Sequence, residues 1–515
     1  MKRCLLINPS YKAAYGSAKA SLIDPIFPTV GLLTLAAMLE KHGHEVQILD
    51  MSYQQYDYRT VEKKIQEFQP DVIGVTVTTP LMNQIRDIST FVKTQYPHIM
   101  MVAGGPHVSA LPIESLEESM LDVVVVGEGD LTLPDILNGT EFTDVLGIFY
   151  RDEDGRIHGN PARPYIENLD DLPMPAWHLF NSVDYRDRMS RLLVKKTPCG
   201  WIEFSRGCIY KCDFCASKNT MAYGYRKKSP KRCAEEVKLL YEYGWREFAL
   251  ADDIFTSDRA WAKEVCKEII KTGLGVPWSC MNGIRVESAE EELFQLMRQA
   301  GCYRVSFGIE TGNADVLKGF GKGGKASLKE GINAVKLAHK ANIDVNAYFM
   351  LGLSPDTEES MQDTIDYAKS VPLDMLKFGI AIAFPGTKMF HDYRERYRIN
   401  SYNWDDYIVY TSKPLFSHPN LKFETVQKYM KKAYRDAIYL NPGFILHRFL
   451  RGLRTMDIFW DMYYFIKFIT APTTSDKEVE AKYFNKDMWP KYNFRTNKIN
   501  FIPVRSAQNK EVGIM

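Results

Sequence analysis

Six short apolar segments, each followed by a helical pattern, dominate the middle of the chain. They are predicted strands that recur about every thirty residues, a spacing typical of repeated βα units. Because right-handed crossovers curl such units into a barrel, six of them predict a partial, TIM-like (β/α)6 barrel with its chemistry at the carboxyl ends of the strands. The strand candidates are "GWIEFS" (200–205), "REFALADD" (246–253), "PWSCMNG" (277–283), "YRVSFGIE" (303–310), "DVNAYFMLG" (344–352) and "MLKFGIAIAF" (375–384).

The amino-terminal part of the chain shows a related alternation. Nearly continuous apolar runs such as "EVQILD" and "DVIGVTVT" alternate with helical patterns, as in a parallel sheet that is covered on both faces. The pattern predicts a doubly wound, Rossmann-like α/β domain with its ligand at the carboxyl ends of the strands. Those ends carry "TVTTP" (76–80), "AGGPH" (103–107) and "GEGD" (127–130). Glycine there allows a ligand close to the backbone, and ordinary turn glycines are the alternative.

A segment with neither pattern separates the two α/β parts. A predicted hairpin around "FYRDEDGRI" precedes the proline-rich "NPARPYIENLDDLPMPAW", which is typical of a linker. The sequence thus predicts a first domain over 1–145, a hairpin and linker over 146–194, the partial barrel over 195–392 and a helical region over 393–515.

Composition and charge indicate a cytoplasmic protein with a small-molecule partner. The net charge of +1 over 515 residues lacks the basic excess of a nucleic-acid-binding protein. The start "MKRCLLINPS" is not a signal peptide, and no stretch reaches the roughly 18 apolar residues of a spanning helix. Nine cysteines fit no disulfide framework. Six of them are predicted to be packed free thiols: Cys4, Cys199, Cys233, Cys266, Cys280 and Cys302.

The other three cysteines stand together in "SRGCIYKCDFCAS", in the loop after the first barrel strand. Cys208, Cys212 and Cys215 have the spacing CxxxCxxC, and thiolates that converge in this way select zinc or an iron–sulfur cluster. A closed zinc site usually needs a second CxxC pair, which this sequence lacks. Three thiolates on a cubane cluster would leave one iron open to a substrate or cofactor. A zinc site completed by a distant histidine and three unrelated thiols are the alternatives.

The cysteine loop resembles that of the radical S-adenosylmethionine enzymes, and the resemblance extends over residues 195–390. It implies an oxygen-sensitive [4Fe-4S] cluster on the three cysteines, whose open iron binds S-adenosylmethionine. It also implies a low-potential electron donor, of flavodoxin or ferredoxin type, and a 5'-deoxyadenosyl radical. After the second strand, Asp252 and Asp253 stand where the family usually has GGE. For these carboxylates and Glu310, a role as helix cap or as a charge at the rim is the alternative. The positions that match the family's S-adenosylmethionine contacts are Phe214, Asp252, Asp253, Arg285, Glu310 and Gly352.

The doubly wound domain before the barrel resembles the subclass that carries a cobalamin-binding domain. The resemblance lies in "AGGPHVSALP" and "VVVGEGD". Because no DxHxxG motif occurs, it implies cobalamin without a protein histidine below cobalt, and His107 is expected on a loop or near a phosphate. The cobalamin-binding residues predicted from the resemblance are Thr78, Thr79, Gly104, Gly105, Pro106, His107, Gly127, Glu128 and Gly129.

The resemblance implies methylation of an unactivated carbon in a small or lipid-like substrate, with methylcobalamin as the methyl source. Radical cyclisation or oxidative rearrangement of a hydrophobic or tetrapyrrole-like substrate is the alternative. A third hypothesis is a protein that carries the cofactors without catalytic turnover. The sequence assigns no catalytic residue.

The carboxyl-terminal region contains the helical candidate "NPGFILHRFLRGLRTMDIFWDMYYFIKFIT" (441–470). An aromatic, apolar stripe there runs beside a basic stripe of Arg448, Arg451 and Arg454, a pattern that suits a membrane interface. If the basic stripe faces solvent, we expect peripheral binding to anionic membranes. A helix packed over the open side of the barrel is the alternative.

Overall fold

Two largely parallel sheets form the frame of the protein, one in each predicted α/β part. The computed structural model describes residues 1–10, 28–52, 57–187, 189–221, 224–319 and 327–470. The part of the predicted helical region after residue 470 lies outside the described residues.

Within these residues the first sheet has seven strands, in the order β2-β1-β3-β4-β5-β6-β7. The parallel strands are β1 (Arg3–Asn8), β2 (Glu45–Asp50), β3 (Val72–Thr76), β4 (Met100–Gly104) and β5 (Val123–Val125). The strand order reverses beside β1, which produces the switch point of a doubly wound sheet. Flanking helices are Val30–Lys41, Tyr58–Phe68, Met82–Gln95, Pro106–Ala110, Pro112–Glu117 and Thr132–Leu137.

The predicted hairpin is present, and it extends the first sheet. Its strands are β6 (Ile148–Arg151) and β7 (Ile157–Gly159), and β6 pairs antiparallel with β5 because Ile148 and Tyr150 are buried against the sheet. The proline-rich stretch after it is packed as well. Trp177 is buried, and its ring lies 5.2 Å from that of Trp245 in the barrel. The predicted linker therefore contributes to the core.

The second sheet is the predicted partial barrel, with six parallel strands in chain order. A small antiparallel pair, β9 (Ser205–Arg206) and β10 (Arg226–Lys227), follows its first strand. The barrel strands are β8 (Cys199–Ile202), β11 (Glu247–Leu250), β12 (Trp278–Ile284), β13 (Cys302–Glu310), β14 (Asp344–Leu351) and β15 (Met375–Ile380). The helices between them include Lys218–Met221, Pro230–Glu242, Arg259–Lys271, Glu291–Gln299, Ala314–Gly319, Leu328–Lys340 and Glu358–Ser370.

Local capping explains where several barrel helices begin. Ser327 and Glu330 form a capping box at the start of Leu328–Lys340, and the Asp258 side chain accepts a hydrogen bond from the Trp261 backbone at the start of Arg259–Lys271. Each cap satisfies backbone N–H groups that have no partner within the helix.

The carboxyl-terminal region covers the edge of the barrel at β15. The Tyr434 hydroxyl donates to the Phe378 carbonyl over 3.0 Å, and the Ile380 N–H donates to the Val409 carbonyl over 2.8 Å. Helices of this region are Lys388–Glu395, Phe423–Tyr434, Pro442–Thr455 and Ile458–Thr470, and the π-helical turn Arg435–Tyr439 extends the second. The candidate 441–470 is two helices because Met456 adopts a left-handed conformation. No helix of the described ranges is long and apolar enough to cross a bilayer.

In the basic stripe of the helix Pro442–Thr455, Arg448 and Arg451 face the protein and Arg454 is exposed, so the condition that the whole stripe faces solvent is not met. Arg451 is buried and pairs with Asp344 and Asp457, while Arg454 also pairs with Asp344. Arg448 is largely buried and donates to the main-chain oxygen of Asp374. Acidic groups beside the amino-terminal ends of β14 and β15 select the basic face of the helix. Its apolar face is left exposed, as is that of the following helix: Leu446, Phe449, Leu450, Leu453, Phe459, Trp460 and Tyr463.

Candidate active site between the two sheets

The three cysteines lie in the loop after β8 and β9, at the carboxyl end of the barrel. All three are thiols outside disulfides and partly buried, and the Cys215 N–H donates to the Cys212 carbonyl over 3.1 Å. A closed zinc site usually has four ligands, and the sequence offers these three thiols without a second CxxC pair. In a cluster each thiolate binds a different iron, and one iron can remain without a protein ligand. The donor set therefore fits an iron–sulfur cluster better than a zinc ion.

Arg285 and Asp253, two of the predicted contacts to S-adenosylmethionine, lie beside the cysteine loop. The Arg285 guanidinium carbon is 3.6 Å from the centre of the Tyr210 ring, and the guanidinium also pairs with Glu287. Burial and the nearby charge of Asp253 raise the pKa of the Cys208 thiol, and Arg285 opposes this. Burial raises the pKa of Asp253 to about 6. A cation and a carboxylate thus flank the thiols.

Asp252 holds its own chain instead of facing a ligand. Its carboxylate accepts from the Phe204 N–H over 2.7 Å and from the Ser205 hydroxyl, and burial raises its pKa to about 7. Both oxygen atoms are used to fix the segment that leads into the cysteine loop. The predicted direct contact with S-adenosylmethionine therefore has no support from the position of Asp252.

Glu310, Gly352 and Phe214 complete the predicted set at this end of the barrel. Glu310 ends β13 with φ of 69°, a conformation that is uncommon for residues other than glycine. Gly352 follows β14 with φ of 79°, and its N–H donates to Asp356 over 2.9 Å. Phe214 is partly buried and packs against the core. These residues lie at strand ends or in the cysteine loop, where the barrel fold puts reactive groups.

A cavity of about 220 Å³ lies at the carboxyl ends of the first sheet. Glycine makes room for it, since a Cβ built at Gly104 would meet no atom within 4 Å. Six of the nine predicted cobalamin-binding residues line the cavity: Gly104, Gly105, Pro106, Gly127, Glu128 and Gly129. The cavity therefore has room for part of a ligand held close to the backbone.

Thr78, Thr79 and His107 do not line this cavity. The His107 ring is buried 4.8 Å from that of Trp404, and its Nδ1 lies 3.3 Å from the Thr79 hydroxyl. Burial lowers the pKa of His107 to about 3, so the ring is neutral. His107 packs beneath the carboxyl-terminal region, which explains why it is directed away from the cavity.

Sequence reasoning missed two groups of cavity residues. One comes from the start of the helix Val30–Lys41, where Thr29 and Gly31 are only a weak sequence signal of a binding site. The other comes from the barrel, and only the tertiary structure reveals it. The missed residues include Thr29, Gly31, Thr34, Leu35, Glu203, Arg206, Thr220 and Met221, whereas Thr76 and Asp130 belong to the predicted strand ends "TVTTP" and "GEGD".

Arg206 joins the cavity to the cysteine loop. Its guanidinium is 2.9 Å from both Glu128 and Asp130 of the first domain and 2.7 Å from Glu203. Only 3% of the Arg206 side chain is exposed, and Arg226 makes a further pair with Glu128 at 2.8 Å. Cys208 follows Arg206 by two residues. A buried ionic network therefore connects the two candidate cofactor sites.

Two family models match the chain, in the order of its two sheets. The B12 binding domain model matches residues 21–137, and the Radical SAM superfamily model matches residues 202–368. Both resemblances predicted from the motifs are confirmed.

Similar proteins include methyltransferases and a cyclase. An uncharacterized methyltransferase of Pyrococcus horikoshii is 31% identical over 470 residues, which are 88% of this chain and 98% of that protein. The cytidylyl-2-hydroxyethylphosphonate methyltransferase of Streptomyces wedmorensis is 29% identical, over 76% of this chain and 81% of the other. The anaerobic magnesium-protoporphyrin IX monomethyl ester cyclase of Cereibacter sphaeroides is 26% identical, over 87% and 74%.

Solved structures of similar fold confirm the predicted fold class. The radical S-adenosylmethionine methyltransferase TsrM from Kitasatospora setae aligns with a TM-score of 0.64 and 20% identity, over 77% of this chain and 76% of that one. The cobalamin-dependent S-adenosylmethionine radical enzyme OxsB aligns with a TM-score of 0.62 and 18% identity, over 95% and 71%.

Proposed function

Because the chain belongs to the radical S-adenosylmethionine family whose members carry an amino-terminal B12-binding domain, we propose that it methylates an unactivated carbon of a small or lipid-like substrate. Its cofactors are a [4Fe-4S] cluster, S-adenosylmethionine and cobalamin. When bound, they supply a carbon radical and a methyl group. The methyltransferases among the relatives support methylation, and the cyclase keeps oxidative ring closure as the second candidate.

One observation carries the proposal: residues of both domains line a single cavity. Gly104 and Gly127 come from the first sheet, whereas Arg206 and Met221 come from the barrel. Because Arg206 stands two residues before Cys208, a methyl carrier in the cavity would lie beside a radical source at the cysteines. Such a neighbourhood is what transfer of a methyl group to a substrate radical requires.

Specific residues are proposed to hold each cofactor. Cys208, Cys212 and Cys215 would bind the cluster, and the six predicted residues that line the cavity would hold cobalamin. Asp252 would position the cysteine loop through Ser205 and the Phe204 backbone. The proposed contacts to S-adenosylmethionine are Phe214, Asp253, Arg285, Glu310 and Gly352.

Isotope transfer tests the reaction class. Reconstituted protein would be reduced with dithionite and given S-adenosylmethionine with a deuterated methyl group, together with an extract of cells that lack the gene. We expect 5'-deoxyadenosine and a product that carries the deuterated methyl group, and neither product from a variant with alanine at all three cysteines. Production of 5'-deoxyadenosine without labelled product would favour cyclisation. In the cell a flavodoxin- or ferredoxin-type protein would supply the electron.

The exposed apolar face of the last two helices supports peripheral membrane contact. Phe449, Leu453, Phe459 and Trp460 are exposed, and aromatic side chains suit the depth of lipid headgroups. Because Arg448 and Arg451 are engaged within the protein, apolar insertion would drive binding, and the charge of the lipids would matter little. We expect flotation with phosphatidylcholine vesicles, lost in Phe449→Ser/Trp460→Ser and kept in the matched exposed change Tyr397→Ser. Absence of wild-type flotation would refute this contact.

A further inference from the structure

A histidine–aspartate–histidine group lies at the amino-terminal end of the barrel, opposite the cysteine loop. His339 is in the last turn of the helix Leu328–Lys340, Asp374 immediately precedes β15, and His447 is in the helix Pro442–Thr455. His339 Nε2 is 2.7 Å from Asp374 Oδ2, and His447 Nε2 is 3.1 Å from Asp374 Oδ1. Three separate elements thus bring two imidazoles and one carboxylate together, with one ligand atom from each within 4.8 Å of the others.

We propose that His339, Asp374 and His447 bind one divalent zinc-like cation that fastens the helix Pro442–Thr455 to the barrel. Imidazole nitrogen and carboxylate oxygen are ligands that zinc prefers. Zinc holds such atoms at about 2.0–2.2 Å, so ligand atoms of one tetrahedral ion lie roughly 3 Å apart. The two histidines face different oxygens of Asp374, at 2.7 and 3.1 Å, and one ligand atom from each residue lies within 4.8 Å of the others, so both rings must move closer together to admit the ion.

The surroundings of the group resemble those of a metal site. The Asp374 side chain is 1% exposed, and its Oδ2 accepts a hydrogen bond from the Val345 N–H over 2.7 Å. Arg448 donates to the main-chain oxygen of the same residue over 2.6 Å. Such second contacts fix the direction of a ligating carboxylate. Both histidines are partly exposed, so an ion and a water molecule have access to the open side.

Protein ligands bind a metal in their deprotonated forms, so binding releases protons and affinity should rise with pH.

The position assigns this ion a structural role. The thiols that follow β8 lie at the carboxyl ends of the barrel strands, whereas Asp374 precedes β15 at the opposite end. The ion would cross-link residues 35 and 73 positions apart and reinforce the pairs of Arg451 and Arg454 with Asp344. It would thereby stabilise the helix whose apolar face is exposed.

Zinc uptake by the full-length, cluster-reconstituted protein tests the site. Protein from zinc-depleted medium would be incubated with zinc sulfate at pH 7.5, desalted and analysed by mass spectrometry for metal content. We expect one zinc per chain, a nitrogen and oxygen shell at about 2.0–2.1 Å in zinc-edge X-ray absorption, and no sulfur at about 2.3 Å. The sulfur distance separates this site from zinc trapped on the cysteines.

Variants assign the ligands. His447→Gln and Asp374→Asn should lose the zinc, whereas His391→Gln, at an exposed histidine of Lys388–Glu395, should keep it. Zinc should also raise the melting temperature of the wild type by several degrees and leave that of His447→Gln unchanged. Wild-type uptake should fall at pH 5.5, a readout that needs no variant. If the wild type contains no more zinc per chain than His447→Gln, or if its X-ray absorption shell contains sulfur, the two histidines simply donate hydrogen bonds to Asp374.

Discussion

The side chains of Arg206 and Glu128, which are 78 residues apart in the chain, meet at 2.9 Å and join the two domains of the site. Arg206 belongs to the strand that leads into the cysteine loop, and Glu128 lines the cavity of the first sheet. Because Asp130 shares the same guanidinium, a movement of either loop would leave buried charge unpaired. The network thus sets the relative placement of the two candidate cofactor sites.

Replacing Arg206 should disturb both the cavity of the first sheet and the cysteine loop. Arg206→Gln leaves Glu128, Asp130 and Glu203 without their shared cation, which costs about 3–5 kcal/mol when one partner of a buried pair is removed. We expect a lower urea midpoint and loss of cobalamin on desalting, measured by corrinoid absorption. The matched surface change Lys227→Gln breaks only a partly exposed pair with Asp258 and should shift stability by less than about 1 kcal/mol. Equal behaviour of the two variants would contradict a linking role.

Replacing one loop cysteine should abolish the cluster. Cys212→Ala removes one thiolate of three, and we expect the reconstituted variant to contain severalfold less iron than the wild type and to show correspondingly weaker visible absorption. The control is Cys233→Ala at a buried thiol on the helix Pro230–Glu242, which should keep its iron. Full iron content in Cys212→Ala would remove the cysteine loop as the cluster site. Exposure to air should bleach the wild-type cluster.

A graded change at Gly104 tests the cavity. A Cβ at this position meets no atom within 4 Å, so Gly104→Ala should fold and retain most cobalamin. Gly104→Leu would extend a branched side chain toward the cavity of about 220 Å³ and should exclude the cofactor. Cobalamin retained per chain after desalting is the measurement, with circular dichroism to check folding. Equal retention in both variants would place cobalamin elsewhere.

The buried carboxyl of Glu247 should make stability depend on pH. Burial raises its pKa to about 7 from the ordinary 4.5, so the folded state binds more protons than the unfolded state between these values. Its contribution to stability is therefore greatest below pH 4.5 and falls as pH rises to 7, by on the order of 3 kcal/mol. Glu247→Gln should remove this loss, because glutamine can accept from the Lys195 and Lys196 N–H groups and donate to Tyr303.

Urea unfolding at pH 5 and pH 8 measures the effect. The free energy of unfolding of Glu247→Gln minus that of the wild type should be larger at pH 8 than at pH 5. A difference between the two proteins that does not change with pH would show that Glu247 is ionised throughout. The exposed Glu242→Gln serves as the control and should show no such dependence.

Local patterns in the sequence determined the two sheets and the cysteine loop. All six predicted barrel strands are present, because the apolar pattern that defines each strand lies within one short segment between two helices. Their ends were placed too late at "GWIEFS", "REFALADD" and "MLKFGIAIAF". At the first two, Asp252 accepts hydrogen bonds from Phe204 and Ser205, and the chain leaves the six-stranded sheet after Ile202 and Leu250. The three cysteines of the CxxxCxxC motif are likewise close in sequence, so the motif can be recognised without the tertiary structure.

Only the tertiary structure decided which way several polar side chains face. His107 packs against Trp404, nearly 300 residues later, and the basic stripe around Arg451 meets Asp344 while its apolar neighbours stay exposed. The link from Arg206 to Glu128 and the meeting of His339, Asp374 and His447 also arise from distant segments. Helical periodicity identifies two faces of a helix, but the direction of each face depends on charges and burial contributed by residues far away in the chain.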